Sequence, residues 1–458
     1  MRLWMRIAMV LGLTLAILVP LTMVRGVVHE RQEYRRQAVA DIARSYAGAQ
    51  TFAGPVLVVP YQEEVEVEEP DRSGIVRTVN KTVQRRWTFF PKTLAAEGEL
   101  KPGIRRRGLH EVRVYEWHGT ARAAFDVIIP AASEAGNVRR VGVPYLSYSI
   151  TDVRGVAGAP ALRVDGRSRT VLQGGAPGHG GREGLHAMLD PLQAGQTRSI
   201  RADLQLVLAG TERFALVPLG EQNDFSLSSS WPHPGFDGSS PRTRVIDANG
   251  FRAGWDIPGV ATNAQQGYLS APRSAEDGSA ANTLAGIDSI SVSLVDPVDV
   301  YSKTDRATKY GLLFVLLTFV GFFIFELTKV LPIHPIQYGL VGLSLAMFFL
   351  LLLSLSEHVE FGWAYLAAGV ACIGLITFYL SAVLRSVVRA LGFAAMLSTL
   401  YAALYGLLVS EDNALVLGAG LLFAVLATLM AVTRKVDWYQ LGARAPSPVR
   451  REPGQAGS

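Results

Sequence analysis

Six runs of apolar residues, at about 7–24, 310–327, 336–356, 361–384, 391–409 and 414–433, stand out from the rest of the chain. Each is long enough to cross a hydrocarbon layer of about 30 Å, which takes about 20 helical residues. Backbone polar groups in lipid have no water to bond, so each run is expected to be a helix. After the first run, residues 29–47 keep a helical spacing: Tyr34, Ala38 and Ile42 fall four apart, with Val39 and Tyr46 beside them. This stretch is expected to carry the first helix onward as an amphipathic stalk. Its arginines would sit in water or near anionic headgroups.

From Gly54 the period shortens to two. Val65 and Val67 alternate with Glu64, Glu66 and Glu68, and Leu204, Leu206 and Leu208 recur every second residue, as on one buried face of a strand. Val56–Val59, bounded by Pro55 and Pro60, reads as a short strand. Further strand runs are 86–90, 112–117, 121–129, 202–208, 225–229 and 251–257, punctuated by Gly, Pro, Asn and Asp. The expectation is a large antiparallel β-sandwich. Gly-rich 174–181 reads as a loop or a boundary between two lobes, and 270–281 as a flexible loop. The predicted fold class is thus mixed: an all-β, sandwich-like domain inserted between an N-terminal transmembrane helix and a C-terminal α-helical bundle of five transmembrane helices. The expected boundaries are 1–28 for a signal anchor, 29–53 for the stalk, 54–303 for the β domain, 304–433 for the bundle and 434–458 for a disordered tail.

Composition changes this picture little. Mean hydropathy is only +0.23 over the whole chain, so the apolar excess is concentrated in the runs, and charge nearly vanishes between Tyr310 and Val432. The single cysteine, Cys372, lies in an apolar run, so no internal disulfide forms. The β domain must hold together by its core alone. A net charge of +5 forms no basic stripe, and no nucleic-acid partner is expected. The first run has Arg2 and Arg6 ahead of it but no small-x-small cleavage site after it, and reads as an uncleaved anchor.

Orientation follows from the lysines and arginines of short loops. Lys329, Arg385, Arg389, Arg434, Lys435, Arg444, Arg450 and Arg451 fall on one side; the alternate loops 357–360 and 411–413 have none. Both termini are therefore expected in the cytoplasm and the β domain outside it. Arg25, Arg31, Arg35 and Arg36 run against the count, but long domains cross largely regardless of charge.

The chain carries few signs of chemistry. There is no Gly-x-Ser-x-Gly elbow, no His-Glu-x-x-His and no phosphate-cradling glycine loop with a lysine. His110 and His118, and His179 and His186, lack ligand spacing and read as surface or loop histidines. No catalytic residue, metal or cofactor is expected. Trp231, His233 and Phe236, in a Pro-rich aromatic turn, are candidates for contact with a ligand or partner; plugging the end of the core is the plainer reading. Glu357, His358 and Glu360 form a short charged link between two membrane helices. They are candidates for docking the β domain, with Arg306 or Lys309 at the head of the preceding helix as partners; a solvated turn is the plainer reading. Glu326, His334, Arg385 and Arg389 lie at helix ends rather than at mid-depth. Small residues four apart, at Gly342/Ala346, Ala367/Ala371 and Gly420/Ala424, fit close helix packing.

Several segments resemble one family. Asp305-Arg306-Ala307-Thr308-Lys309-Tyr310-Gly311 running into 316–326, then 334–343 and Leu353-Ser354-Leu355-Ser356-Glu357-His358, are similar to the membrane region of the CreD family. So are Gly54–Tyr61, Arg107–Val112, Ser230–Phe236, Gly250–Trp255 and Asp296–Tyr301 outside it. The likeness runs from about Asp41 to the sixth helix. It implies a multi-pass protein of the bacterial inner membrane with a role in cell-envelope integrity. It further implies expression under a two-component system and links to β-lactam response and colicin tolerance. It carries over no enzymatic activity and no cofactor. The expected partners are the lipid bilayer and an unknown envelope protein or cell-wall component, bound without catalysis. A membrane-bound periplasmic enzyme acting on cell-wall or lipid material, and a small-solute transporter, are the alternatives.

Overall fold

The computed structural model describes residues 3–70, 76–108, 110–131, 139–174, 184–271, 284, 286–294, 300–329, 334–384, 386–410 and 414–434. His179, most of the 174–181 and 270–281 segments, Arg385 and nearly all of the tail lie outside the described residues. The chain forms two compact units, 1–34 with 298–458 and 35–297.

The strands are β1 (Gln50–Pro70), β2 (Val76–Phe89), β3 (Thr93–Arg107), β4 (His110–Ile128), β5 (Arg139–Val141), β6 (Tyr145–Ile150), β7 (Val156–Val164), β8 (Arg167–Arg169), β9 (Leu172–Gln173), β10 (Gly184–Met188), β11 (Thr197–Thr211), β12 (Arg213–Val217), β13 (Gln222–Ser229), β14 (Gly235–Asp237), β15 (Thr243–Asp247), β16 (Gly250–Pro258) and β17 (Ile290–Ser293). The helices are α1 (Leu3–Ser45), α2 (Ala264–Ser270), α3 (Val300–Lys329), α4 (Pro335–Ser356), α5 (Phe361–Val383), α6 (Val387–Val409) and α7 (Ala414–Thr433).

The period-two pattern marks the strands well. In β11, Ile200, Ala202, Leu204, Leu206 and Leu208 are buried, and the residues between them are not. The same alternation buries Phe225 and Leu227 in β13 and Phe251, Ala253 and Trp255 in β16. The prolines expected to bound a short strand lie instead inside β1. Pro55 falls where the pairing register with β6 shifts, and Pro60 pairs with Arg86 of β2. A bulge tolerates a residue with no N–H to give, so the strand continues.

One sheet runs β14-β17-β12-β1-β6-β10-β9, with β2 and β5 also paired to β1; the other runs β15-β16-β13-β3-β4-β11-β7-β8. Both are mixed rather than antiparallel, because β1 pairs β12 and β3 pairs β13 in parallel. Neither parallel pair is a hairpin; each joins strands far apart in sequence, which local turn signals do not specify. The buried faces of both sheets feed one hydrophobic cluster. At its centre Trp117 of β4 meets Phe52 of β1 and Phe214 of β12, with ring centroids 5.5 and 4.7 Å away. Residues 174–181 connect β9 to β10, which pair with one another.

Helix α1 is unbroken past Pro20. Its last carbonyls, left without partners inside the helix, are met by Arg154, whose Nη1 donates to the Arg44 carbonyl at 2.7 Å. Asp152 holds that guanidinium at 2.7 and 2.8 Å and also accepts from the Gly48 N–H. Burial pushes the Asp152 carboxyl up, but these donors outweigh it and hold it below its usual range.

Among the described residues, four helices are long and apolar enough to cross a membrane: the part of α1 from Leu11, α4, α5 and α6. α3 and α7 contain shorter apolar stretches, Leu313–Phe322 and Val416–Ala427. Side chains from α1, α3, α4, α5 and α6 share a second core. Gly342 admits Phe319 and Ile17 against α4, so one of the expected small-residue pairs, Gly342/Ala346, is buried. Ala367 and Ala371 are exposed; on α5 the small buried pair is Ala364/Ala368, one helical face away. His334 caps α4: its Nδ1 accepts from the Ile336 N–H, and Gln337 returns a bond to the His334 N–H. That is a helix-start role, in which Pro335 at the first turn also fits.

Candidate functional site

Trp231 is turned inward. Its indole N–H donates to the His233 carbonyl at 2.8 Å, and the Arg113 guanidinium lies 4.4 Å over its ring. Phe236 packs edge-on to Phe251 and Trp255 at 5.7 and 5.8 Å. His233 is exposed. The turn holds its aromatic area against the domain rather than presenting an open face.

The charged link between α4 and α5 is likewise engaged. Glu357 caps the end of α4 and lies 3.5 Å from Arg31 of α1; no ion pair joins it to Arg306, which is exposed. His358 Nδ1 donates to the Ser354 carbonyl at 3.1 Å, and Glu360 stands at the start of α5. Lys309 pairs with Asp305 at 2.7 Å, and Asp305 also meets Arg25 of α1 at 3.3 Å. Further along α1, Arg35 lies 3.5 Å from Glu212. Three of the arginines that run against the charge count therefore each face a carboxylate. The acidic link is visible in the sequence but its partner is not, because Arg31 is more than 300 residues away along the chain.

A cleft of the sheet domain lies elsewhere. β10 ends at Met188, paired with Tyr145 of β6, while β5 pairs β1 at Tyr61–Glu63. Among the described residues no strand pairs the other side of β5. The step between these strands leaves a cleft of about 490 Å³ lined by Tyr61, Gln62, Gln84, Arg140, Tyr145, His186 and their neighbours. That volume is in the range of small-ligand sites. Val143, Leu172 and Met188 give it an exposed aliphatic rim. Among the described residues its lining holds one arginine and no carboxylate.

His186 was expected at the surface or in a loop, and the structure corrects this: it is 3% exposed within β10. Pairing on both sides, with β6 and β9, buries it. Its Nδ1 lies 2.7 Å from the Gly174 carbonyl oxygen. A carbonyl only accepts, so Nδ1 carries a hydrogen, and in the neutral tautomer this leaves the lone pair on Nε2. Nε2 is buried without a hydrogen-bond partner.

The wall of the cleft is anchored from behind. Glu63, 3% exposed, binds Arg139 at 2.9 Å and Arg85 at 3.4 Å. Tyr61 stacks on Trp87 at 3.9 Å, and Arg139 lies 5.5 and 5.6 Å from the two rings. Flanked by Gln62 and Glu64, Glu63 carries no sign in the sequence that this one glutamate is buried. Among the described residues, no three His, Cys, Asp or Glu gather as a metal would require.

A likeness to solved structures is slight. An M1 zinc metallopeptidase from Deinococcus radiodurans is 11% identical with a TM-score of 0.20, over 44% of this chain and 42% of that one. A two-domain M1 zinc metallopeptidase bound to L-arginine scores 0.19 at 13% identity, over the same shares. Such scores say nothing about this fold or its chemistry. The family model described as inner membrane protein CreD, by contrast, matches residues 2–439. The inner membrane protein CreD of Escherichia coli strain K12 is 35% identical over 435 residues, 93% of this chain and 92% of that protein. With the apolar helices and the inserted sheet domain already in view, the chain belongs to the CreD family of inner membrane proteins.

Proposed function

We propose that this protein supports cell-envelope integrity by binding an envelope component, without catalysis, through its sheet domain on the periplasmic side of the inner membrane. In this reading the two sheets form a sandwich-like domain. α1 and five C-terminal helices span the membrane, and both termini lie in the cytoplasm. The lysines and arginines gathered in the loops on one side of the apolar helices support that orientation.

The observation that carries the binding role is the cleft beside His186: a buried acceptor, an arginine and an exposed aliphatic rim in one concave place. Such a combination of a few polar groups and an apolar wall is the usual form of a recognition site. The test is complementation. Cells lacking the protein are scored for entry of a hydrophobic dye, then supplied with the wild-type chain or with Leu172→Trp, which fills the rim. Wild type is expected to restore the barrier and Leu172→Trp, at equal membrane abundance, is not. Full rescue by Leu172→Trp would remove the cleft from the function.

A further inference from the structure

We propose that the cleft beside His186 receives the end of a short, extended peptide with a free carboxylate; this rests on reading the cleft as the binding surface. Four features select that class. The bare Nε2 of His186 accepts and does not donate, so it calls for an N–H or O–H from the ligand. A peptide amide supplies one. The outer side of β5 pairs with no described strand, and an added extended segment pairs naturally with such an edge. Arg140, with no carboxylate among the described lining residues, favours an anionic group at the same mouth.

The fourth feature separates a peptide from a sugar. Sugars are usually held on open aromatic faces. The two aromatic residues of the lining, Tyr61 and Tyr145, are both buried, and the face of Tyr61 is taken up by Trp87. The apolar surface that the cleft exposes is aliphatic: Val143, Leu172 and Met188. Those surfaces suit small aliphatic side chains projecting from an extended backbone. Gln62 and Gln84, paired across β1 and β2, add amide groups that both donate and accept.

The full chain in detergent is titrated by calorimetry with tri-alanine, with tri-alanine amide and with the disaccharide of N-acetylglucosamine. Tri-alanine is expected to bind, and its amide about three- to fivefold more weakly, the range for an exposed charge pair. Arg140→Gln should erase that difference while still binding both. His186→Leu should weaken both by about tenfold or more, because the ligand N–H loses its acceptor. Both variants are checked for a wild-type melting temperature. Equal binding of acid and amide to the wild type would overturn the carboxylate assignment. Binding of the disaccharide, lost in His186→Leu and with tri-alanine silent, would overturn the peptide class while leaving the cleft as a binding surface. Silence of all three probes would overturn the peptide class as well.

Discussion

Trp117→Ala is expected to destabilise the sheet domain by about 3–5 kcal/mol, the cost of emptying a large buried aromatic site. Trp117 is fully buried and lies between rings of the facing sheet. Its own sheet makes room for it with two glycines, Gly98 of β3 and Gly119 of β4, which are directly paired. A Cβ at Gly119 would run into the indole ring, and one at Gly98 would meet the indole nitrogen. Glycine in a strand is otherwise unfavourable, so the ring covers a place the backbone alone would leave weak. Trp117→Phe should cost far less. The indole N–H has no hydrogen-bond partner, and phenylalanine removes that buried donor while keeping most of the apolar area. Gly119→Val should approach the cost of Trp117→Ala from the opposite direction, by overpacking. Amide hydrogen exchange in β3, β4 and β11 of the full chain checks all three. Protection in Gly119→Val equal to wild type would show that the ring is not confined there.

Glu63→Ala should cost about 3 kcal/mol, the lower end for breaking a buried pair, since Arg85 is half-exposed and regains water. Arg139 is better covered: its side chain is 14% exposed and lies beside the Tyr61 and Trp87 rings. The variant takes from it a carboxylate held at 2.9 Å behind the cleft wall, and β5 is the strand that would loosen. Glu63→Gln keeps a hydrogen-bond acceptor of the same shape and should lose less. Thermal melting of the full chain in detergent ranks the three proteins. An unchanged melting temperature in Glu63→Ala would mean that Arg139 reaches solvent without penalty.

The sequence makes local order visible and leaves remote order hidden. The alternation of Leu204, Leu206 and Leu208 marks a strand with one buried face because burial follows the two-residue repeat of the backbone. The same logic finds the helices at 336–356 and 361–384 within a few residues of α4 and α5. It does not find the parallel pairing of β1 with β12, whose partners lie more than 160 residues apart, since each strand looks the same whichever neighbour it takes. His186 shows the limit for a site. Its neighbours Leu185 and Ala187 are apolar, which is a signal of burial in a short strand. But the Gly174 carbonyl that fixes its tautomer, and the end of β10 that opens the cleft, appear only once the sheet has formed. Glu357 is the converse case. Its charge and place at a helix end were legible, and its partner Arg31 was not.

The proposed meeting of this CreD-family protein with an envelope partner in the cleft beside His186 can be caught by a photo-crosslinking residue at position 172 in living cells, with position 128 on β4 as the control. Leu172 and Ile128 are both exposed, but only Leu172 lines the cleft. An adduct, detected by mass spectrometry on the purified chain, is expected from position 172 and not from 128, and is expected to be lost when His186→Leu is added. Equal labelling from both positions, or an adduct at 172 that survives His186→Leu unchanged, would contradict it.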